Sequence, residues 1–528
     1  MRAIELLAYL REKDIKLWAD GDRLRYKAPK DALDLTLRRE LAERKSEILE
    51  ILRHEDAVKS YTSPTLRPIS RDCELPLSFA QERLWFLAQL APDSPAYNIA
   101  SAKRLTGSLN VSALHQSFNE ILRRHEVFQT ICSTVNGKPV QVITPDLTLP
   151  LPVKDLRQLP KAEREAEVLR LAQEAARRPF DLAQCPLLRV TILRLDAREY
   201  VLLLTTHHFV ADGWSMGILF EELWALYEAF STGKPSPLPA LPFQYADLAH
   251  WQREWLQGEV LATQLAYWKK QLADAPAVLE LPTDRPRPTI QTDLGATQSF
   301  TLPMPLSEAI RALSRREGVT LFMILLAAFQ TLLYRYTHQD DLIVATAVSN
   351  RNRLETEGLI GSFWNNLLMR TDFSGNPTFR ELLGRVREVA LEAYAHQDLP
   401  FEKLLEELQP GRDLSRTPLF QVMFTLHQRS QNQDLKPLGL TLSDLPIEMG
   451  TAMLDLNLAI EDNKRELSGE LKYSADLFDA TTITRMLGHF QCLLESIVAD
   501  PNRCISGLAI LTDAQRAELI AAFNEDCW

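Results

Sequence analysis

The residues with the clearest chemical potential are two adjacent histidines followed by an aspartate and a glycine: His207, His208, Asp212 and Gly213. A neutral imidazole can accept a proton or a hydrogen bond from a bound substrate. A carboxylate at a turn can meet free backbone N–H groups or pair with a cation. Glycine permits a tight backbone path, or the close approach of a ligand that a side chain would block. The group therefore predicts a site for a polar substrate.

The flanking segments predict how this group is positioned. Residues 200–206 are apolar on both faces and predict a buried strand. Apolar residues at helical spacing follow the glycine and predict a helix: Leu219, Leu223, Leu226, Tyr227 and Phe230. The histidines then end a strand, and Asp212-Gly213 forms the turn into a helix. Because successive strand side chains point to opposite faces, one histidine faces a given cavity and the other packs or orients its neighbour.

Two other chemistries find little support in the sequence. A metal site needs converging ligands, whereas adjacent strand histidines diverge, so we predict no metal. We also expect no serine nucleophile here: Gly213-Trp214-Ser215-Met216-Gly217 has the Gly-x-Ser-x-Gly spacing, but Ser215 is expected only to support the active site. The six cysteines form no Cys-x-x-Cys pair, which is typical of reduced thiols in a cytoplasmic protein: Cys73, Cys132, Cys185, Cys492, Cys504 and Cys527. What remains is a histidine that acts as a general base or hydrogen-bond partner.

Length and composition narrow the class of protein. A chain of 528 residues is too long for one ordinary core and predicts three or so structural units. Its 46% apolar and 24% charged residues are typical of a soluble globular protein. A net charge of −11 argues against a nucleic-acid partner, and no apolar run of about 18 residues predicts a membrane span. The charged N-terminus is unlike a secretion signal, and we expect a cytoplasmic location.

The pattern His-His-x-x-x-Asp-Gly resembles the central motif of the condensation domains of nonribosomal peptide synthetases. These belong to the wider acyltransferase superfamily that includes chloramphenicol acetyltransferase. Six further stretches resemble the other motifs of the family, in family order: residues 77–87, 123–130, 245–251, 360–367, 396–403 and 412–422. The resemblance implies an α/β fold in which two chloramphenicol-acetyltransferase-like lobes form a V-shaped pseudo-dimer, with the central motif at the seam.

The same resemblance implies the reaction. The amine of an acceptor aminoacyl thioester would attack a donor acyl or peptidyl thioester and form a peptide bond. Both substrates would arrive on the phosphopantetheine arms of carrier domains, with no cofactor bound by the domain itself. His208 would accept a proton from the amine or hold it in line, and the Gly213 N–H would be an oxyanion donor. Asp212 and His207 would be structural.

Further residues are expected to support this site. Arg351 follows a predicted buried strand, 341–348, and the resemblance implies an ion pair with Asp212. A guanidinium fork can hold a buried carboxylate in fixed geometry. Asn365 of the fifth motif is expected to line the reaction chamber, and Ser215 to support the active site. Trp364 and Asn366 stand where the family more usually has Val and Thr.

Several helix ends are also predicted. Ser78 is expected to cap the helix of the first motif. Ser307 is expected to cap a helix that Gly318 ends. Thr320 should then cap a longer apolar helix to about Tyr336.

Residues 1–55 are predicted to form a separate module. Asp20-Gly21 between alternating runs predicts a β-hairpin with helices on either side. Arg23, Arg25 and Lys27 share one face of the second strand. That face could simply be solvated, or it could capture an acidic extended peptide by strand addition. The segment resembles the tubulysin-type N-terminal docking domain, which implies that these cations bind the acidic C-terminal tail of an upstream donor protein, and which allows a homodimer through the module.

The expected organisation follows from these matches. After the docking domain we place a linker at 56–72, the N-terminal lobe at 73–245, the C-terminal lobe at 246–504 and a tail at 505–528. The tail resembles the linker toward an adenylation domain of the same module. A second carrier domain, distinct from that of the donor, would present the acceptor. Two alternatives stay open: a catalytically silent scaffold that recruits carriers, and a starter-type acyltransferase that N-acylates the first amino acid. An epimerisation or heterocyclisation domain would carry other motifs.

Overall fold

The structure, a computed structural model, describes residues 16–20, 23–27, 41, 64–409, 411, 413–428, 439–512 and 515–517. Its strands are β1 Lys16–Asp20, β2 Arg23–Lys27, β3 Leu75–Pro76, β4 Asn98–Thr106, β5 Thr130–Val135, β6 Lys138–Ile143, β7 Val153–Asp155, β8 Leu188–Asp196, β9 Glu199–His207, β10 Gly295–Thr301, β11 Asp341–Val348, β12 Asn365–Asp372, β13 Val422–Gln428, β14 Thr441–Leu445, β15 Leu456–Asp462 and β16 Leu467–Ser474. Its helices are α1 Phe79–Leu90, α2 Val111–Arg124, α3 Lys161–Arg177, α4 Gly213–Ser231, α5 Tyr245–Trp255, α6 Gly258–Gln271, α7 Met304–Glu317, α8 Leu321–Thr337, α9 Leu354–Glu357, α10 Phe379–Ala395, α11 Phe401–Leu408 and α12 Ala480–Ala499.

The first lobe is built on a five-stranded sheet in the order β14-β4-β9-β8-β7. Strand β9, which carries the two histidines at its end, lies in the middle and is buried along nearly its whole length. Helices α2 and α4 pack together beside it, with Phe118, Phe209 and Leu223 in their shared core. A strand buried on both faces explains the unbroken apolar run that precedes His207.

The second lobe is built on a six-stranded sheet in the order β10-β16-β15-β13-β11-β12. Helix α8 is buried almost all round, and Phe329 packs against Phe424 and Phe490 in the core. The expected fold class, α/β with two lobes, is confirmed. Within the described ranges no single helix is both long and apolar enough to cross a membrane; α7 and α8 reach that length and composition only together, with a bend of 108° between them.

The two lobes are interwoven beyond the predicted boundary at residue 245. Strand β14 leaves the second lobe and pairs antiparallel with β4, with Leu442 opposite Leu105. Only glycine fits at position 107, because the backbone of Gly439 passes close to it at this crossing. Gly107 has a φ of 141°, and a Cβ there would come within 2.5 Å of the Gly439 carbonyl oxygen. Leu440 and Phe363 also enter the core of the first lobe. The boundary itself stays a prediction, but strands on both sides of it complete the first sheet.

The predicted helix ends are mostly confirmed. Ser78 caps α1 in a capping box with Gln81, and Thr320 caps α8. Helix α7 ends at Gly318 in a left-handed conformation, as expected, but the prediction that Ser307 begins it is wrong. Pro303 precedes the helix, which starts at Met304, and Pro305 lies in the first turn, where the missing N–H of proline has no helical partner to lose. The Ser307 hydroxyl lies inside and accepts the Leu467 N–H at 3.0 Å.

The docking module is described only at its hairpin and at Leu41. Strands β1 and β2 pair antiparallel with Asp20 opposite Arg23, which confirms the predicted hairpin. Arg25 and Lys27 are exposed, and so is Tyr26 on the other face. The Arg23 side chain and the flanking predicted helices lie outside the described residues, apart from the buried Leu41.

The second half of the predicted linker packs against the first lobe. Leu66 is 2% exposed. The Ile69 N–H donates to Asp247 Oδ1 at 2.9 Å, and Arg71 lies 2.5 Å from the same carboxylate. The Trp251 indole donates to the Pro64 carbonyl at 2.6 Å. Residues 64–72 therefore run along α5 as an attached segment.

Candidate active site

A cavity of about 2200 Å³ lies between the two lobes. Its first-lobe wall comes from α1, α4 and the turn after β9, including His208 and Gly213. Its other wall is the face of the six-stranded sheet, including Asn366, Thr425 and Asn457. A large cleft between two lobes with converging polar groups is the usual place for a substrate site.

His207 and His208 diverge, as strand geometry requires. His207 is 5% exposed, and its Nδ1 accepts the Phe209 N–H at 3.1 Å. Its ring lies beside the rings of Tyr97 and Phe180. Burial lowers the pKa of His207 to about 3, so this imidazole is neutral at ordinary pH. These contacts suit the structural role predicted for His207, which remains a prediction.

His208 faces the cavity. The His208 N–H donates to the Tyr97 carbonyl at 2.9 Å, which holds the backbone after β9. Its ring lies 5.7 Å from the Trp364 ring, and its Nδ1 has no hydrogen-bond partner among the described residues. Burial lowers the pKa of His208 to about 4, although the nearby Asp212 charge acts in the opposite direction. A neutral imidazole at pH 7 can accept a hydrogen bond from a substrate amine.

Asp212 is a buried cap with three donors. Its Oδ1 accepts the Ser215 N–H at 2.8 Å, which caps α4, and its Oδ2 accepts the Phe363 N–H at 3.0 Å. Arg351 Nη2 lies 3.4 Å from Oδ1. The predicted partners are therefore in contact, but the two backbone N–H groups are closer to the carboxylate than the guanidinium is.

Arg351 organises the segment that follows β11. Its Nη1 donates to the carbonyls of Thr356 at 2.5 Å and Leu359 at 2.7 Å, and its Nη2 donates to Ser215 Oγ at 2.8 Å. The guanidinium carbon lies 3.7 Å from the centre of the Phe363 ring. Ser215 Oγ in turn donates to the Gly361 carbonyl at 2.8 Å. Arg351 and Ser215 thus tie the start of α4 to the second lobe.

Gly213 is the first residue of α4 and lines the cavity. Its φ is not in the left-handed region, so a tight backbone path does not explain the glycine. A Cβ there would meet no atom within 4 Å, which agrees with space kept open for a ligand. The Ser215 and Met216 N–H groups are bonded to Asp212. The N–H groups that come before Ser215 at the start of α4 are the ones that can donate a hydrogen bond to a ligand oxygen.

The prediction that Asn365 lines the chamber is wrong. Its Nδ2 donates to the carbonyls of Gln397 at 2.9 Å and Leu399 at 2.8 Å. Its Oδ1 accepts the Phe401 N–H at 3.0 Å, and the residue is 5% exposed. Because side chains alternate along a strand, the neighbours Trp364 and Asn366 face the cavity instead.

A charged pair that the sequence analysis missed bridges the two lobes at the cavity wall. Arg83 of α1 donates to Glu402 of α11 at 3.3 Å, across the two lobes. Burial raises the pKa of Glu402 and that of Tyr97, both of which line the cavity. The sequence shows a positive charge in the first motif and a negative charge in the sixth. Their separation along the chain, however, gives no indication that the two side chains meet. Among the residues that the structure describes, no three metal-ligating side chains come together.

Two family models match the chain. A model described as "Condensation domain" matches residues 72–520, and one described as "TubC N-terminal docking domain" matches residues 4–54. Together they cover nearly the whole chain.

Known proteins agree with these models. One of the subunits of the linear gramicidin synthase from Brevibacillus parabrevis is 50% identical over 464 residues, which are 88% of this chain and 6% of that protein. Phosphinothricin tripeptide synthetase PhsC of Streptomyces viridochromogenes is 42% identical over 444 residues, 84% of this chain and 41% of that protein. The chain thus spans less than half the length of either relative.

A solved structure, the complex of the X-domain and OxyB from teicoplanin biosynthesis, is similar in fold. Its TM-score is 0.76 at 30% identity, and the match covers 85% of this chain and 99% of that one. The cavity between two lobes, the motif at its wall and the family models lead to one assignment. The chain belongs to the condensation-domain family of nonribosomal peptide synthetases, acyltransferase-type domains that form amide bonds, and a TubC-type docking domain precedes this domain.

Proposed function

We propose that this chain joins a donor acyl or peptidyl thioester to the amine of an acceptor aminoacyl thioester, both carried on phosphopantetheine arms of carrier domains. One observation carries the proposal: His208 and the open helix start at Gly213 lie on one wall of a cavity that both lobes build. Such a cavity is large enough to receive two substrates at once, which a condensation between tethered partners requires.

The proposed steps use only this chain's residues and the two substrates. The amine nitrogen attacks the donor carbonyl carbon, and the carbonyl oxygen becomes an oxyanion beside the Gly213 N–H. The C–S bond then breaks, and the donor arm leaves as a thiolate. The proton lost by the attacking nitrogen ends on that sulfur, so the products are an amide and a free thiol.

The environment of His208 favours positioning over full proton transfer. With a pKa of about 4, the imidazole is a weak base compared with an amine. A neutral amine needs less activation than an alcohol, and correct orientation alone can contribute several kcal/mol. We therefore assign His208 the role of holding the amine in line through a hydrogen bond, with Asp212, Arg351 and Ser215 fixing the turn behind it.

The docking domain is proposed to recruit the donor protein. The hairpin edge and the exposed Arg25 and Lys27 suit an acidic peptide tail. The acceptor carrier and the adenylation domain of the same module would be the other partners. The donor would in this arrangement come from a separate polypeptide.

A scaffold that recruits partners without catalysis is the second candidate. The specific observation in its favour is the likeness to the X-domain, whose solved structure is a complex with OxyB. A starter-type acyltransferase differs from the main proposal only in its donor.

A condensation assay separates these candidates. Donor and acceptor carriers loaded with several acyl groups are mixed with the chain, and the acceptor arm is examined by intact mass. We expect joined product from the wild type and from His250→Ala, a matched control in which the lost imidazole pairs with Glu254 at 3.3 Å on α5. We expect none from His208→Ala, with carrier binding retained. Carrier binding without product from any protein would support the scaffold.

A further inference from the structure

Two polar atoms stand unpaired in the cavity wall beside His208. Trp364 Nε1, a hydrogen-bond donor, and Asn366 Oδ1, an acceptor, are buried and have no partner within the described part of the chain. Both residues line the cavity, and Asn366 is only 5% exposed. A buried polar atom without a partner destabilises a fold, because it has lost its bonds to water without gaining others. Such a cost at a cavity wall indicates a ligand that supplies the missing partners.

The two residues are placed to act together. They flank Asn365 at the start of β12, and positions two apart on a strand share a face, with Cα atoms about 7 Å apart. Ala347, the cross-strand neighbour of Asn366, has only a methyl group and leaves room above it. The Trp364 ring lies 5.7 Å from the His208 ring, so a group held here is next to the reacting centre.

We propose that Trp364 and Asn366 bind the amide next to the donor thioester and thereby select peptidyl or N-acylaminoacyl donors over simple fatty-acyl ones. A secondary amide offers both an acceptor for the indole N–H and a donor for Asn366 Oδ1. A fatty-acyl chain offers neither. The corresponding group of the acceptor is a thioester carbonyl, which can only accept and would leave Asn366 unpaired.

The distances agree with this assignment, which rests on the proposed function. The amide nitrogen of a peptidyl donor is two bonds, roughly 2.5 Å, from the carbonyl carbon that is attacked. The His208 and Trp364 rings are in direct contact at 5.7 Å between centroids, so a carbonyl carbon held against His208 brings the neighbouring amide beside Trp364.

The test uses donors that differ in one group. Donor carriers are loaded with N-acetylaminoacyl groups and with the matching O-acetyl-hydroxyacyl groups, in which oxygen replaces N–H, in alanyl, leucyl and phenylalanyl forms. We expect the wild type to join the amide donor about tenfold faster than the ester donor, since the ester leaves Asn366 unpaired. In Asn366→Leu the preference should fall to near one. In Trp364→Phe both donors should slow by a similar factor, because both keep the carbonyl.

Asn457→Leu is the matched control. Asn457 also lines the cavity, and its Oδ1 has no hydrogen bond to any described residue, but it lies on β15, three strands from β12 and thus roughly 14 Å away. Its substitution should leave the amide preference unchanged. Asn366→Ala serves as a second variant should the leucine variant fail to fold. Equal rates for the two donors in the wild type, or a preference that survives both Asn366 substitutions, would overturn the inference. No product from the wild type with any donor would instead refute the proposed function on which it rests.

Discussion

Arg351 Nη2 lies 3.4 Å from Asp212 Oδ1, and the side chains of both residues are nearly inaccessible, at 1% and 4% exposed. This contact joins the turn after β9 in the first lobe to the segment after β11 in the second. Its length shows that the carboxylate is held mainly by the N–H groups of Ser215 and Phe363, at 2.8 and 3.0 Å. The arginine neutralises the charge and binds the carbonyls of its own segment.

Removal of the Arg351 guanidinium should therefore destabilise the folded protein strongly. Arg351→Met leaves a buried carboxylate without a counter-charge and two carbonyls without a donor, so we expect a loss of about 3–5 kcal/mol in the free energy of unfolding. Urea denaturation measures it. Arg353→Met, two residues along and half-buried over the Trp251 ring at 4.3 Å, is the control and should cost about 1 kcal/mol or less. Equal losses would contradict a special role for Arg351.

Substitution of Gly213 by alanine should slow catalysis without lowering the free energy of unfolding. A Cβ at Gly213 meets no atom within 4 Å, so Gly213→Ala should fold normally but crowd the N–H group proposed for the oxyanion. Loss of one oxyanion donor typically costs about 100-fold or more in rate, and partial blockage should cost at least about tenfold. Gly217→Ala, one turn along α4 and equally open, should instead gain about 0.5–1 kcal/mol of stability. An unchanged turnover rate in Gly213→Ala would count against the oxyanion role.

Acidification should destabilise the fold through the two histidines. Burial lowers the pKa of His207 to about 3 and that of His208 to about 4, both below the ordinary value of 6.5. The unfolded chain therefore binds more protons, and stability should fall as the pH drops from about 6.5 through about 4. Denaturation midpoints across this range measure the slope. His208→Gln removes one of the two groups, so its slope should be shallower; an identical slope would show that His208 is not protonated on unfolding.

Charge reversal on the basic face of β2 should weaken the binding of an acidic peptide. Arg25→Glu and Lys27→Glu place carboxylates on β2, so binding of an acidic peptide tail should weaken about tenfold or more, and wild-type binding should weaken as salt is added. Fluorescence anisotropy of a labelled acidic peptide measures the affinity. Lys138→Glu makes the same charge change at an exposed position of β6 and is the control. Equal effects of all three substitutions would indicate only a general response to net charge.

Local pattern was enough to predict much of this molecule. The unbroken apolar run before His207 predicted β9, because a strand buried on both faces needs no polar positions. Asp212 predicted a helix cap, because a short side-chain acceptor satisfies the N–H groups that follow it. The family resemblance also placed Arg351 beside Asp212, and the two side chains are in contact.

Only the tertiary structure decided which side chains face the cavity and which distant residues meet. Asn365 and Asn366 are adjacent and chemically identical, yet the pleat of β12 sends one into hydrogen bonds with the chain before α11 and the other into the cavity. Arg83 and Glu402 are 319 residues apart, and only the packing of α1 against α11 brings them together. Short-range sterics and periodicity set the elements of a chain. The contacts that build this site depend on how two lobes close on each other, which local pattern does not encode.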